Sequence, residues 1–80
     1  MSQRLLELMK SKIELEGPSA RLKLALSISR TERMIDLYLK GSSSPRPEQA
    51  LALAKECGAT EEEAHEIERE FFKRSAKETA

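Results

Sequence analysis

Apolar residues in this chain recur three and four positions apart, and no stretch alternates strictly between apolar and polar. That spacing puts one apolar side on a helix, whereas a half-buried strand would alternate. With β-branched residues scarce as well, the pattern predicts an all-α chain. A first helix is expected from Ser2 as N-cap to about Glu16, with Leu5, Leu6, Met9 and Ile13 along one side. "EGPS" then stops it: Gly17 suits a helix C-terminus, Pro18 cannot continue a helix, and Ser19 can cap the next one. The second helix, over 20–27, is expected to pack through Leu22, Ala25 and Leu26. "SRTE" (Ser29 to Glu32) has capping-box spacing and opens a third helix over 30–40 that ends at Gly41. "PEQALALAKEC" is the fourth, closed by Gly58, and "TEEE" (Thr60 to Glu63) is a second capping box for a fifth helix reaching about residue 77. Five short helices without internal repeats fit a single domain over residues 1–80, a compact bundle in which the highly charged fifth helix either docks or projects alone.

Length and composition narrow this further. An 80-residue chain builds only a thin core, and the single cysteine, Cys57, leaves no intramolecular disulfide to reinforce it. His65 is the one histidine, so a structural zinc site lacks its usual ligands; no metal and no cofactor are expected. Small helical proteins without such cross-links often gain stability by oligomerising. No apolar run is long enough for a signal peptide of ordinary form or a membrane span, which makes a cytoplasmic location the expectation. Nor is there a nucleophile–base pair, carboxylate dyad or phosphate loop, so neither enzymatic activity nor a small-molecule substrate is expected.

Net charge is zero, but the charges are segregated. Residues 1–46 hold nine Lys/Arg against five Asp/Glu, a local +4, and residues 47–80 hold five against nine, a local −4. Between 20 and 46, Arg21, Lys23, Arg30, Arg33, Lys40 and Arg46 face only Glu32 and Asp36. A partner responds to that local potential rather than to the total.

Two helices joined by a very short turn, here "LSIS" ahead of Arg30, form a helix-turn-helix unit over about 19–41. After it come Gly41, Pro45, Glu48, Leu51, Leu53, Ala54, Lys55 and Gly58. In residue type and spacing this resembles the segment that follows the recognition helix in Cro- and lambda-repressor-like helix-turn-helix proteins of the XRE class. In that family a glycine ends the recognition helix, a polar proline-containing loop follows, and a helix ending "LAKxxG" completes the fold. The likeness spans roughly residues 19–70 and is most specific over 41–58. In the turn the chain departs from the family: Ser27 or Ser29 stands where glycine is usual, and either Arg33 or Met34 fills the slot of the buried residue.

The resemblance implies a lambda-repressor-like fold that binds double-stranded DNA, with the third helix in the major groove. Base contacts would come from Arg30, Thr31 and Arg33, because arginine can grip guanine with two parallel bonds and threonine offers a hydroxyl and a methyl. Ser29, Lys40, Ser42, Ser43, Ser44 and Arg46 would hold phosphates, with the exposed amides of the loop as further donors. Met34, Ile35, Leu37, Tyr38 and Leu39 are read as packing residues, and Asp36 as pairing with Arg33 or Lys40 at helical spacing. The function implied is a sequence-specific regulator, a small repressor of the phage or plasmid kind, acting on a two-fold symmetric operator. A homodimer suits such a site. In the fifth helix Ala64, Ile67 and Phe71 share one docking stripe, which leaves Phe72 about 100° away, beside Ala76, as a dimer surface; Leu8 and Leu15 of the first helix are the other candidate. The competing expectation is a protein-interaction module on the same fold, an antitoxin or antirepressor-like adaptor that does not bind DNA.

Overall fold

In the computed structural model, which describes the backbone of residues 3–79 and the side chains of residues 3–72, five helices follow one another through short turns. They are α1 (Gln3–Glu16), α2 (Ser19–Ser27), α3 (Glu32–Lys40), α4 (Pro47–Glu56) and α5 (Glu61–Thr79). Among the described residues there is no strand, and no helix is long and apolar enough to cross a membrane. The order and number of helices are those the apolar spacing predicts.

Several helix ends differ from expectation. Pro18 already has helical angles (φ −57°, ψ −29°), so it takes the cap position of α2 and Ser19 falls inside the helix. The Ser19 hydroxyl donates to the Glu16 carbonyl at 3.3 Å instead of capping. The third helix starts at Glu32 rather than at Arg30, because Thr31 is extended (φ −94°, ψ 162°) and its hydroxyl accepts from the Met34 amide. Thr31 is therefore the cap, and Ser29, at φ 55°, belongs to the turn. At α5 the Thr60 hydroxyl accepts from the Glu63 amide at 3.1 Å as expected. The return arm of that box is missing, because the Glu63 carboxylate lies 3.7 Å from Arg4 of α1.

One core joins all five helices. Leu5 and Met9 enter it from α1, Leu24 and Ala25 from α2, Ile35 and Tyr38 from α3, Ala50, Leu53 and Ala54 from α4, and Ala64, Ile67 and Phe71 from α5. Within each set the residues are three or four apart or adjacent, so each helix turns one face inward. The packing joins α1 to α2, α3 and α4, α2 to α3 and α4, and α4 most extensively to α5. Helix α5 thus docks along α4 instead of projecting alone. The inward face of α2 is Ala20, Leu24 and Ala25, so Leu22 and Leu26 fall on the opposite side, 49% and 67% exposed. The expectation that Leu22 and Leu26 pack inward is corrected: α2 has apolar residues on two sides, and only one side can meet the core.

The two left-handed positions that flank α3 generate opposite predictions. A side chain added at Gly41 (φ +79°) would meet nothing within 4 Å, so Gly41→Ala is expected to cost only backbone strain, about 1 kcal/mol. Ser29 carries that strain already. Ser29→Gly relieves it, partly offset by a freer unfolded chain, for a net gain of about 0.5 kcal/mol. Urea midpoints should fall for the first variant and rise for the second; a fall in both contradicts strain at Ser29.

Candidate nucleic-acid interface

Helix α3 is built to stand with one side in the core and the other in solvent. Glu32 sits in its first turn and Lys40 in its last, each at the favourable end of the helix dipole. Ile35 and Tyr38 are buried, and Met34 and Leu39 pack against the same core. Met34 rather than Arg33 is thus the inward residue, and Arg33 is exposed. The outward stripe is Arg33, Leu37 and Lys40, at i, i+4 and i+7. Leu37 is only half-buried and stands apart from the core residues. Reading it as a packing residue is corrected by its position on the wheel, one turn from Arg33 on the polar side.

The loop after α3 uses its amides internally. The left-handed cap at Gly41 turns the chain so that the Gly41 amide donates to Leu37 and Tyr38 carbonyls. The amides of Ser42 and Ser43 donate to the Leu37 carbonyl at 3.0 and 3.3 Å. Pro45, which is buried, and Pro47 have no amide hydrogen, and the Arg46 amide donates to Gln49 Oε1 at 3.0 Å. Only the Ser44 amide remains without a partner. The loop therefore offers hydroxyls and one guanidinium, not a row of amides: Ser42, Ser44 and Arg46 are exposed, and Ser43 is half-buried. Gln49 Oε1 also accepts from the Tyr38 hydroxyl at 3.4 Å, so a single side chain ties the loop exit to α3 and turns the tyrosine hydroxyl inward.

Ion pairing sorts the cations into two groups. Arg4 is engaged by Glu66 at 2.9 Å and by Glu63. Lys12 and Lys23 both pair with Glu16, which their hydrogen bonds hold below its ordinary carboxyl value. Arg21 of α2 reaches Asp36 of α3 at 3.1 Å, so the expected pairing of Asp36 with Arg33 or Lys40 is corrected. By contrast Arg30, Arg33, Lys40 and Arg46 are all exposed and make no ion pair among the described residues; Lys10, Lys55 and Arg69 are unpaired too, but stand apart on α1, α4 and α5. Arg30 lies in the turn, its amide held by the Ala25 carbonyl at 2.9 Å. With exposed Ser29 and Thr31 it gathers at the N-terminal end of α3, while Lys40, the three serines and Arg46 gather at the other end.

The remaining candidates lie elsewhere. His65 is exposed, 3.4 Å from Glu68. Cys57 packs at the C-terminal end of α4, where burial pushes its thiol up to about 11 and keeps it a weakly reactive small hydrophobe. Phe71 is buried and Phe72 is 56% exposed, as the wheel predicts; the side chain of Ala76 lies outside the described residues. Leu8 packs against the core, and Leu15 is exposed. Comparison with protein-family models, with curated proteins and with solved structures finds no match for this chain.

Gln49 generates a prediction of its own. Gln49→Ala removes the acceptor for the Arg46 amide at the start of α4 and should lower stability by about 1 kcal/mol, the usual weight of a helix cap. Amide exchange at Arg46 should accelerate in the variant. Unchanged protection there would mean that the proline pair alone holds the loop.

Proposed function

We propose that the chain is a sequence-specific DNA-binding regulator of the lambda-repressor-like helix-turn-helix class, a small repressor working inside the cell, with α3 entering the major groove. The observation that carries this reading is the cluster of exposed, unpaired cations around α3 and its following loop, Arg30, Arg33, Lys40 and Arg46. The other unpaired cations among the described residues, Lys10, Lys55 and Arg69, stand singly on three different helices, and Arg4, Lys12, Arg21 and Lys23 are paired within the fold. At 1.5 Å per residue α3 is roughly 13 Å long, comparable with the roughly 12 Å width of the groove. Cations at its two ends can thus meet phosphates or bases on either side. Leu37, half-buried between Arg33 and Lys40, suits a thymine methyl. The test is selection of bound sequences from random duplexes together with retention on nonspecific DNA at rising salt. A two-fold symmetric motif and salt-sensitive retention are expected, since phosphate neutralisation releases counterions.

A second reading has one observation in its favour. Leu22 and Leu26 form an exposed apolar pair on the outward side of α2, a surface that suits a protein partner better than a duplex. Absence of retention on DNA even at low salt would favour this adaptor reading.

Arg30→Ala and Arg33→Ala are each expected to weaken binding to the selected site by about 1–3 kcal/mol and to relax preference at a base pair. Arg46→Ala should weaken binding to all sequences alike and lower the salt slope by about one unit. If both helix-end variants bind the selected site like wild type, the proposed groove face is wrong.

The reading includes a homodimer on symmetric half-sites, with α5 as the interface, because one domain reads only a few base pairs. A phenylalanine more than half exposed next to a fully docked one is the surface feature that suggests it. Sedimentation at micromolar concentration should give a dimer for wild type and a monomer for Phe72→Glu. A dimer indifferent to Phe72→Glu moves the interface to another surface, Leu15 first.

A further inference from the structure

Asp36 is an acid on the side of α3 that carries Arg33 and Lys40. Helical spacing puts it three residues from Arg33 and four from Lys40, either of which could neutralise it. It pairs with neither. Its Oδ2 accepts instead from Arg21 Nη2 on α2, fifteen residues earlier in the chain, at 3.1 Å. The two side chains are 40% and 37% exposed, yet the Arg21 Nε is enclosed and has no hydrogen-bond partner. The guanidinium is therefore drawn against the protein far enough to leave one N–H unsatisfied, and its charge is answered by Asp36.

We propose that the Arg21–Asp36 pair is a positioning and specificity device: it fixes α3 against α2, holds Arg21 off the nucleic acid and leaves Arg33 and Lys40 unpaired for it. The inference rests on the DNA-binding reading. Its content is that one of the cations nearest the interface contributes no phosphate contact, and that Asp36 restrains nonspecific affinity by occupying it.

Three near-isosteric variants test this on nonspecific duplex DNA, each checked for wild-type helix content by circular dichroism. Asp36→Asn frees Arg21 and adds a phosphate contact, so binding tightens and the salt slope steepens by about one unit. Its advantage over wild type then grows about threefold as salt falls from 200 to 50 mM. Nonspecific affinity gains more than affinity for the selected site, so the specificity ratio falls. Arg21→Gln leaves Asp36 to re-pair with Arg33 or Lys40, and the slope becomes shallower by about one unit. The double variant Arg21→Gln/Asp36→Asn restores the wild-type slope. If Arg21 is itself a phosphate contact, the double variant stays a unit shallow and Asp36→Asn has the wild-type slope; either result overturns the proposal. A purely structural pair would weaken binding in all three variants without altering any slope, which also overturns it. Wild-type protein that fails to bind duplex DNA at low salt removes the DNA-binding reading and this inference together. Wild-type binding with an unresponsive Asp36→Asn removes the inference alone.

Discussion

Three helices close on α4, and its inward side chains, Ala50, Leu53 and Ala54, are fully buried beneath them. The rest of the structure depends on that arrangement. A chain this short buries too little surface to tolerate a void, and no disulfide compensates. Two alanines let the neighbouring helices approach α4 closely, while Leu53 fills the space between them. Helix α3 is covered less: it rests on α1 and α2 through Ile35 and Tyr38 and leaves Arg33, Leu37 and Lys40 outward.

The ion pairs follow the same division. Arg4 with Glu63 and Glu66 joins α1 to α5, Glu16 with Lys23 joins α1 to α2, and Arg21 with Asp36 joins α2 to α3. Pairs as exposed as these contribute about 0–1 kcal/mol each. Their larger consequence is electrostatic. They neutralise Arg4, Arg21 and Lys23 and leave Arg30, Arg33, Lys40 and Arg46 as an unpaired group around α3 and the loop beyond it. A basic face therefore emerges from a chain of zero net charge.

The helices are legible in the sequence because their apolar stripes and terminal glycines agree. Phe71 and Phe72 separate correctly for the same reason: Phe71 continues the stripe of Ala64 and Ile67, and Phe72 lies about 100° off it. Where one signal is missing, the reading slips. Helix α2 offers leucines or alanines at 20, 22, 24, 25 and 26, so its periodicity admits two faces, and tertiary packing decides between them. Serine gives no hint of left-handed backbone, so the turn at Ser29 and the delayed start of α3 at Glu32 are invisible to capping-box spacing. The partner of Asp36 is hidden because Arg33 and Lys40 are near in sequence while Arg21 is near only in space. The internal use of the loop amides could have been anticipated. A left-handed glycine cap draws the following amides onto the last carbonyls of the helix, which removes them from any ligand.

Charge segregation also bears on how two copies could meet. Helix α5 carries half of the chain's acidic residues, and two such helices brought together at random would repel. Repulsion depends on which side of the helix is presented. Around Phe72, helical spacing gathers His65, Glu68 and Arg69, a nearly balanced set, whereas Glu63, Glu66 and Glu70 lie a third of a turn or more away. Two of those acids, Glu63 and Glu66, are already turned toward Arg4. Near Phe72 the side of α5 with the exposed ring is thus close to charge balance, and Glu61, which shares that side, lies about 16 Å along the axis. A two-fold contact there would bury apolar surface without stacking carboxylates, and since α5 packs on α4 rather than on α3, it would leave the outward side of α3 open in both copies. On the reading proposed above, one partition of charge then does two things: it gathers unpaired cations around α3 for phosphates, and it turns Glu63, Glu66 and Glu70 away from a contact through Phe72.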